Sequence, residues 1–481
     1  MAAIILIPAL ACWATLAMGS ARKALLWVYL PALLLLPQYY VLRLPHLPPI
    51  GFADAAILPL GIALMLKEAR RWRWAWRWAW MDLWVLLFAV CAGLSEAFST
   101  ELANGDWTQL FSPNLAVSQR LSTNIADGGL MFVAGVLTMV LPYMAGKLLI
   151  EQEHDAMRKK LIARIVALLA VVAGLSIYDF LTGRSLWQKL AKPFLGAYQN
   201  EVWEPQMRWG FGRIAGPYGH AILAGMIFLI GLVYCLWLRS ADPNWGSRRL
   251  IHGLPFTLRG LSLTAIVAGL LMTQSRGPWI GVGLALIFAL LTRYLPVVKV
   301  AIVFAAFCVM FAAGAFYFTS QYTEKAISQA STEEQRNAIY RRQLLTNYAP
   351  VVMERKAFGW GVTTLPAVNG QVSIDNQYLM LAVTEGFTGL AVFLAIVTGS
   401  ALKLLRMISQ PIPSEDRMLA LAHLAVLIGL MTTLATVYMG EQVVMLFFLI
   451  AGWVQAMHPA LERVQLVNPL VAQVGFRRVL V

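Results

Sequence analysis

Thirteen times along its 481 residues the chain enters an apolar run about as long as a bilayer is thick. The runs fall at 1–19, 24–42, 50–66, 81–98, 128–150, 161–180, 220–238, 260–274, 277–292, 297–318, 376–402, 418–436 and 442–457. Crossing the hydrocarbon core takes about 20 apolar residues as a helix. Inside lipid, only helices or closed barrels satisfy every backbone N–H and C=O. The runs are continuous rather than alternating, which selects helices over barrel strands. Only 13% of residues are charged, 59% are hydrophobic and the mean hydropathy is +0.67. Soluble domains carry about 25% charged residues, so a soluble fold of this length would lack the polar residues to coat its surface. The chain therefore reads as an all-α polytopic membrane protein, one transmembrane domain over 1–481. The eighth, ninth and thirteenth runs are short, which sets the count at about 12–13 spans.

The N-terminal MAAIILIPALACWATLAMG lacks a basic segment before its apolar run, so it reads as the first span and not as a cleaved signal. With the N-terminus outside, the cytoplasmic segments are 20–23, 67–80, 147–164, 239–259, 293–299, 403–417 and the tail, and they hold 24 of the 38 Lys and Arg. That asymmetry is the positive-inside pattern. It accounts for the net charge of +14 without a nucleic-acid partner. The Trp/Arg-rich KEARRWRWAWRWAW at 67–80 reads as an interfacial anchor against anionic headgroups. Cys12, Cys91, Cys235 and Cys308 each lie inside an apolar run with no metal-binding spacing and read as small buried hydrophobes.

Three outer loops are long: 99–127, 181–219 and 319–375. In the third, Ser331 and Glu334 fit a capping box ahead of EEQRNAIYRRQLLTNYA, which predicts a helix. No internal repeat or low-complexity linker divides the chain.

Polar residues at the ends of spans are costly to place and mark candidate sites. Three constellations fall on the outer side. In TQSRGPWIG (273–281), Arg276 sits in a tight hairpin between two short spans, where it is either a fixed cation or an arginine reaching for headgroups. In RWGFGRIAGPYGHAILAG (208–225), Arg208, Arg213 and His220 lead into a span through a glycine-rich loop. In FGWGVTTLPAVNGQVSIDNQYLMLAVTEGFTGL (358–390), Asp375 and Asn376 stand where the loop enters a span, with Tyr378 next and Glu385 about two turns deeper. Asp375 is either a helix cap or a site carboxylate. Glu385 is part of either a structural pair or the site. Together they offer several cations and a carboxylate, a set suited to a lipid-linked pyrophosphate. Arginines clamp phosphates and stabilise a leaving group, and a carboxylate orients or deprotonates a hydroxyl. No Asp-x-Asp pair or His/Cys cluster supplies metal ligands in these loops, and no phosphate-loop or serine-hydrolase motif occurs.

In this order, the segments resemble the O-antigen ligase and O-antigen/exopolysaccharide polymerase superfamily. SRGPWIG resembles its Ser-Arg-Gly motif. FGWGV followed by DNQYLMLAVTEGFTGL resembles its second signature, and RIAGPYGHAILAG its preceding loop and span. The resemblance covers roughly 205–400 with the periplasmic loop 319–375. It implies a GT-C-like helical fold in the bacterial inner membrane and an active site on the periplasmic face. It further implies glycan transfer from undecaprenyl pyrophosphate without metal, nucleotide sugar or other cofactor. Arg276 matches the motif arginine expected at the donor pyrophosphate, and Arg213 that of the preceding loop. Asp375 departs from the family, because ligases that attach O-antigen to lipid A core usually carry His there. The departure favours a polymerase, with Arg276, Arg213 and Asp375 catalytic. Arg208, His220, Arg341, Arg342, Asn376, Tyr378 and Glu385 would then bind substrate. The partners would be the lipid-linked donor and acceptor, membrane lipids and other polysaccharide-assembly proteins. A ligase using a lipid or protein acceptor, and a transporter of lipid-linked sugars, are the alternatives. Transporters of that kind often show repeated halves and midplane charges, which this sequence lacks.

Overall fold

A computed structural model describes residues 2–457 except 76–78, 100–123, 152–153, 197–198, 200–204, 250–256, 293, 307–309, 311–332, 367, 369–370 and 372. Cys308, Ser331 and most of the 99–127 loop lie outside the described residues, as do the side chains of 67–78. The architecture is all-helical, with one two-stranded hairpin among the described residues. Six described helices are long and apolar enough to cross a membrane: Trp80–Phe98, Asp127–Leu149, Ala156–Thr182, Ala221–Ala241, Gly386–Ser409 and Ser414–Leu434. Shorter apolar helices accompany them at Ala3–Ala17, Phe52–Leu66, Leu258–Met272, Arg276–Leu291, Val297–Ala306 and Glu441–Ala456. The expected polytopic all-α class is thus the observed one.

The chain begins with α1 (Ile7–Ala17), α2 (Ala21–Ala24) and α3 (Leu30–Leu35). Then follow α4 (Phe52–Ala75), α5 (Trp80–Ser99), α6 (Asn124–Gly135), α7 (Leu141–Leu149), α8 (His154–Thr182) and α9 (Leu186–Leu195). A hairpin of β1 (Met207–Arg208) and β2 (Phe211–Gly212) precedes α10 (Ala221–Ala241), α11 (Leu258–Met272), α12 (Arg276–Leu291) and α13 (Val297–Ala306). The rest is α14 (Glu333–Glu354), α15 (Gln377–Thr384), α16 (Gly386–Ser409), α17 (Ser414–Leu434) and α18 (Glu441–Ala456). Widened π-turns at Leu25–Tyr29 and Val136–Val140 join α2 to α3 and α6 to α7. Each stands just ahead of a proline, Pro31 or Pro142. Proline has no N–H, and its ring collides with the carbonyl four residues back, so an extra residue per turn keeps the helix running.

Two expected spans differ from what forms. The 24–42 run stops being helical at Leu35. Its last carbonyls would be orphaned inside the protein, but side chains from three other segments reach them. Trp187 Nε1 donates to Leu35 O (2.9 Å), Tyr218 Oη to Leu34 O (3.1 Å), and Gln442 Nε2 to Leu33 O and Leu36 O (3.2 Å each). Gln38, just past the helix, donates to Ala32 O (2.9 Å). The 376–402 run is two helices, broken at Glu385 and Gly386. Gly386 takes φ +68°, and a Cβ there would strike Ala357 O at 2.4 Å. The FGWG segment pairs with this break: Trp360 N donates to Val383 O (2.8 Å), Gly361 N to Thr384 O (2.8 Å) and Phe387 N to Lys356 O (2.7 Å). The two glycine motifs are therefore halves of one backbone joint.

Small residues set the closest helix contacts, as is usual where lipid offers no hydrophobic drive between helices. Gly146 of α7 lies on Leu449 O of α18, and Gly452 of α18 lies on Tyr143 O of α7, with no room for a Cβ at either. At one end of the bundle the helix termini carry a buried ionic cluster. Arg158 is 2% exposed in its side chain, grips Glu151 through two nitrogens and donates to Asp416 at 2.6 Å. Trp453 Nε1 donates to Glu151 Oε1 (2.7 Å), and Lys147 pairs with Asp82 at 2.5 Å. Lys147, Glu151, Arg158 and Asp416 lie on the segments 147–164 and 403–417, which the Lys/Arg pattern predicts to be cytoplasmic. The opposite end carries the three polar constellations.

Candidate active site

The hairpin β1–β2 is the first part of the site. Its two central residues, Trp209 and Gly210, take φ of +53° and +80°, the left-handed pair that suits a two-residue hairpin. Gly212 lies against Asp179 O at the end of α8, where no Cβ fits, and Phe211 stacks on Phe180 with ring centroids 4.6 Å apart. The glycine-rich RWGFGR thus docks the hairpin on α8 and fixes its two arginines.

Those arginines run along the turn between α11 and α12. Ile214 N donates to Met272 O (3.2 Å), Arg213 Nε to Thr273 O (3.2 Å) and Arg208 Nη1 to Gln274 O (2.7 Å). Successive carbonyls at the C-terminus of α11 are thereby satisfied, mostly by cations, which also suits the helix dipole. Gln274 is 3% exposed and adopts φ +49°, an uncommon backbone for a residue with a side chain. Arg213 Nη2 also donates to Ser275 Oγ (2.8 Å), and Nη1 donates to Gln206 Oε1.

Ser275 occupies the cap position of α12, yet its hydroxyl donates to Thr273 O (3.0 Å) and makes no cap bond. The first turn of α12 consequently presents its N–H groups and the positive end of the helix dipole without a side-chain cap, beside Arg276. The helix is held there by small residues. A Cβ on Gly277 would meet Thr436 Oγ1, one on Gly281 would meet Gly429 O at 2.6 Å, and Pro278 fits against Gly225 of α10. The glycines and proline of SRGPWIG therefore seat α12 between α10 and α17, with solvent-exposed Arg276 at its tip.

The third constellation arrives on α14 and the segment after it. Tyr340 Oη accepts from Ser373 N (2.9 Å) and donates to Ser373 O (2.7 Å). Ser373 Oγ then donates to Asp375 Oδ1 at 2.7 Å. Tyr348 Oη holds Pro366 O (3.2 Å), while Glu96 of α5 accepts from Val362 N (2.8 Å). Asp375 is not the helix cap. Asn376 is, accepting from Tyr378 N (3.0 Å) and Leu379 N (3.1 Å). The carboxylate of Asp375 is left outside the capping role and held by Ser373.

Electrostatics ties the groups into one cluster. Burial and the Arg213 guanidinium push the His220 imidazole down to about 4, against an opposing pull from Asp375. His220 caps α10 by accepting from Ile222 N at Nδ1 (3.2 Å), consistent with a neutral ring. Burial and the neighbouring Arg208 bring Arg213 down to about 10. Arg341 is lowered by burial and by Arg276 and Arg208, with Asp375 opposing. It nevertheless reaches solvent, as a side chain lining a concave mouth does.

Arg208, Arg213, His220, Arg276, Arg341 and Asp375 thus gather at one end of the bundle. The remaining sequence-predicted residues sit differently. Asn376 is consumed as a cap. Tyr378 donates to Met431 O of α17 (2.8 Å) and ties α15 down. Glu385 is 7% exposed at the helix break, packed against Gly389. Arg342 follows Arg341 on α14 and projects about 100° away round the helix. Sequence reading missed Gln206, Gln274, Ser373, Tyr340 and Glu96, whose roles come from backbone contacts that leave no spacing signal. Among the described residues, no three His, Cys, Asp or Glu side chains group as metal ligands would.

What this arrangement can do is hold a polyanion between arginines and a helix N-terminus, with a carboxylate facing it. No curated protein matches the chain. Residues 261–394, from α11 into α16, match the family described as O-antigen ligase. The match includes Arg276, Arg341, Asp375 and the 358–361/383–388 joint, and leaves Arg208, Arg213 and His220 outside it. This polytopic helical membrane bundle is thus similar, over the segment at its polar mouth, to the O-antigen ligase family.

Proposed function

We propose that the protein polymerises lipid-linked oligosaccharide repeat units at the periplasmic face of the bacterial inner membrane. The donor is a growing glycan on undecaprenyl pyrophosphate, and the acceptor is a second lipid-linked unit. The observation that carries this reading is the cluster on the α11–α12 turn: Arg213 and Arg208 bonded to its carbonyls and hydroxyl, Arg276 at the uncapped start of α12, and Asp375 opposite.

In the transfer, an acceptor hydroxyl oxygen forms the new bond to the anomeric carbon while the bond from that carbon to the pyrophosphate oxygen breaks. Asp375 takes the hydroxyl proton as general base. The charge appearing on the departing pyrophosphate is met by Arg276, by the N–H groups of Arg213 left over from three internal bonds, and by the N-terminus of α12. Attack opposite the leaving group inverts the anomeric centre. Arg208 and Arg341 extend the positive wall toward the glycan.

Asp375 in place of the histidine usual in lipid A core ligases favours polymerisation. The family description favours the second reading, a ligase that moves finished glycan to another acceptor. Purified protein given only a lipid-linked repeat unit separates them. A ladder of products supports polymerisation. No extension until a different acceptor is added supports ligation, and no transfer with any acceptor removes both.

A further inference from the structure

The turn that joins α17 to α18, residues 435–440, lies outside the matched segment 261–394 and contributes none of the residues singled out from the sequence. With the residues flanking it, this turn nevertheless touches all three polar constellations. At the end of α17, Met431 O accepts from Tyr378 Oη (2.8 Å). Gly277, next to Arg276, lies on Thr436, where a Cβ would meet Thr436 Oγ1. Further along, Gln377 Oε1 accepts from Met439 N at 2.5 Å. Gln442, at the start of α18, donates from Nε2 to Pro217 O (3.3 Å), between Arg213 and His220. The start of α12, the start of α15 and the loop ahead of α10 are thus all referred to one short stretch. Part of it is held locally, since Thr433 O accepts from both Thr436 N and Thr436 Oγ1 (2.8 Å each). Met439 differs. It is buried, and its N–H ends on a side chain from another helix. A buried N–H requires an acceptor, and Gln377 supplies it. Gln377 stands two residues after Asp375 and directly after the Asn376 cap, so the bond fixes the helix end that carries the carboxylate.

We propose that Gln377 is a positioning residue for the transfer: by accepting from Met439 N, it sets Asp375 against Arg276 through the α17–α18 turn on which Gly277 also lies. The assignment rests on the reading of Asp375 and Arg276 as the two sides of a transferase site.

Three observations separate this role from ordinary packing. Tyr378 already ties α15 to α17 at Met431 O, so Gln377 supplies the second point that stops α15 from turning about the first. Its partner is the backbone of the turn, which transmits position without the rotamer freedom of a side chain. The same turn seats the cation side, through Thr436 and Gly277. Reacting atoms need to lie about 3–3.5 Å apart, and a displacement of about 1 Å costs about 100-fold. Referring the base and the cation to one turn meets that tolerance, as a supporting shell around a reacting centre does.

The test combines steady-state transfer with amide hydrogen exchange on the full-length protein in nanodiscs. Gln377→Leu removes the acceptor and keeps the bulk. Its kcat for a lipid-linked repeat unit should fall at least tenfold while KM changes less than threefold. Exchange should quicken in peptides covering 435–440 and 373–380. Gln377→Glu keeps an acceptor oxygen at the same reach and should return kcat to within threefold of the parent and exchange to the parent's rate. Thermal unfolding checks that each variant is folded, and Gln377→Ala takes the place of Gln377→Leu if the latter is not. A folded variant whose kcat falls less than tenfold, a larger change in KM than in kcat, or no rescue by Gln377→Glu overturns the proposal. Exchange needs no turnover, so the two readings fail separately. A parent protein that forms no product with any acceptor removes the transferase reading, whereas unchanged exchange in Gln377→Leu removes the tether itself.

Discussion

Replacing Arg213 by Lys keeps a positive charge at the turn but removes the fork that holds it. Arg213 bonds three acceptors around one plane: Thr273 O at 3.2 Å, Ser275 Oγ at 2.8 Å and Gln206 Oε1. A single ammonium on a flexible stem cannot reach all three. If it retains one, two charge-assisted hydrogen bonds are lost, each contributing about 1.5–3 kcal/mol. Water at the mouth recovers part of that, which favours the lower end, roughly 3 kcal/mol for the pair. Each 1.4 kcal/mol is tenfold, so transfer should fall about 100-fold at pH 7 if these bonds set the turn for reaction. The surroundings add a second signature. Burial and Arg208 bring the arginine from 12.5 down to about 10. The same burial and the same Arg208 charge would lower a lysine at this position below its ordinary range. The variant should therefore lose further activity toward the alkaline end of the assay range, where the parent protein keeps its charge. The assay is product formation by purified protein from lipid-linked repeat units between pH 6.5 and 9, with thermal unfolding measured alongside. Activity within threefold of the parent at pH 7, with no added alkaline loss, would refute the argument that this fork positions the turn.

Gly281→Leu should separate α12 from α17, lowering thermal stability and activity together, because even a Cβ there sits 2.6 Å from Gly429 O. Gly283→Ala, where nothing lies within 4 Å, should be neutral or slightly stabilising, by about 0.5–1 kcal/mol. Thermal unfolding in detergent compares the two, and equal effects would sink the packing account. Arg158→Leu leaves Glu151 and Asp416 buried without their cation and should cost about 3–5 kcal/mol, read as a lower unfolding temperature and reduced membrane accumulation. His220 has its pKa depressed from 6.5 to about 4. The unfolded chain takes up the proton first, so its contribution to stability is complete above about pH 6.5 and is lost as pH falls toward 4. His220→Asn should keep the α10 cap and flatten that acid window, whereas His220→Ala should cost a further ~1 kcal/mol at pH 7; pH-resolved unfolding curves tell them apart. Tyr340→Phe removes the donor to Ser373 O and should lower turnover more than donor affinity. Unchanged turnover would mean that Asp375 needs no such support.

The kind of membrane protein, an all-α polytopic bundle, was legible because bilayer thickness writes itself into the length of apolar runs, and lipid forbids other backbone solutions. Arg276, Arg208, Arg213 and Asp375 stood out for a similar reason, since charge at the edge of an apolar run is costly and therefore conspicuous. Spacing could not say that Asn376 rather than Asp375 caps α15, because either residue suits the position and only the backbone geometry chooses. Nor could it show that the 376–402 run breaks at Glu385. That break exists because the FGWG segment, more than twenty residues earlier, supplies hydrogen bonds to its backbone. The termination of α3 at Leu35 likewise depends on Trp187, Tyr218 and Gln442, residues up to 409 positions distant. The sequence alone determined which segments must be helical and which end of the bundle holds the costly charge, since both follow from the local free energy of transfer into lipid. The tertiary structure decided where helices stop, which carboxylate faces the arginines and which arginine donors are already engaged. Those outcomes are set by hydrogen-bond partners and glycine contacts that come together only when distant segments pack.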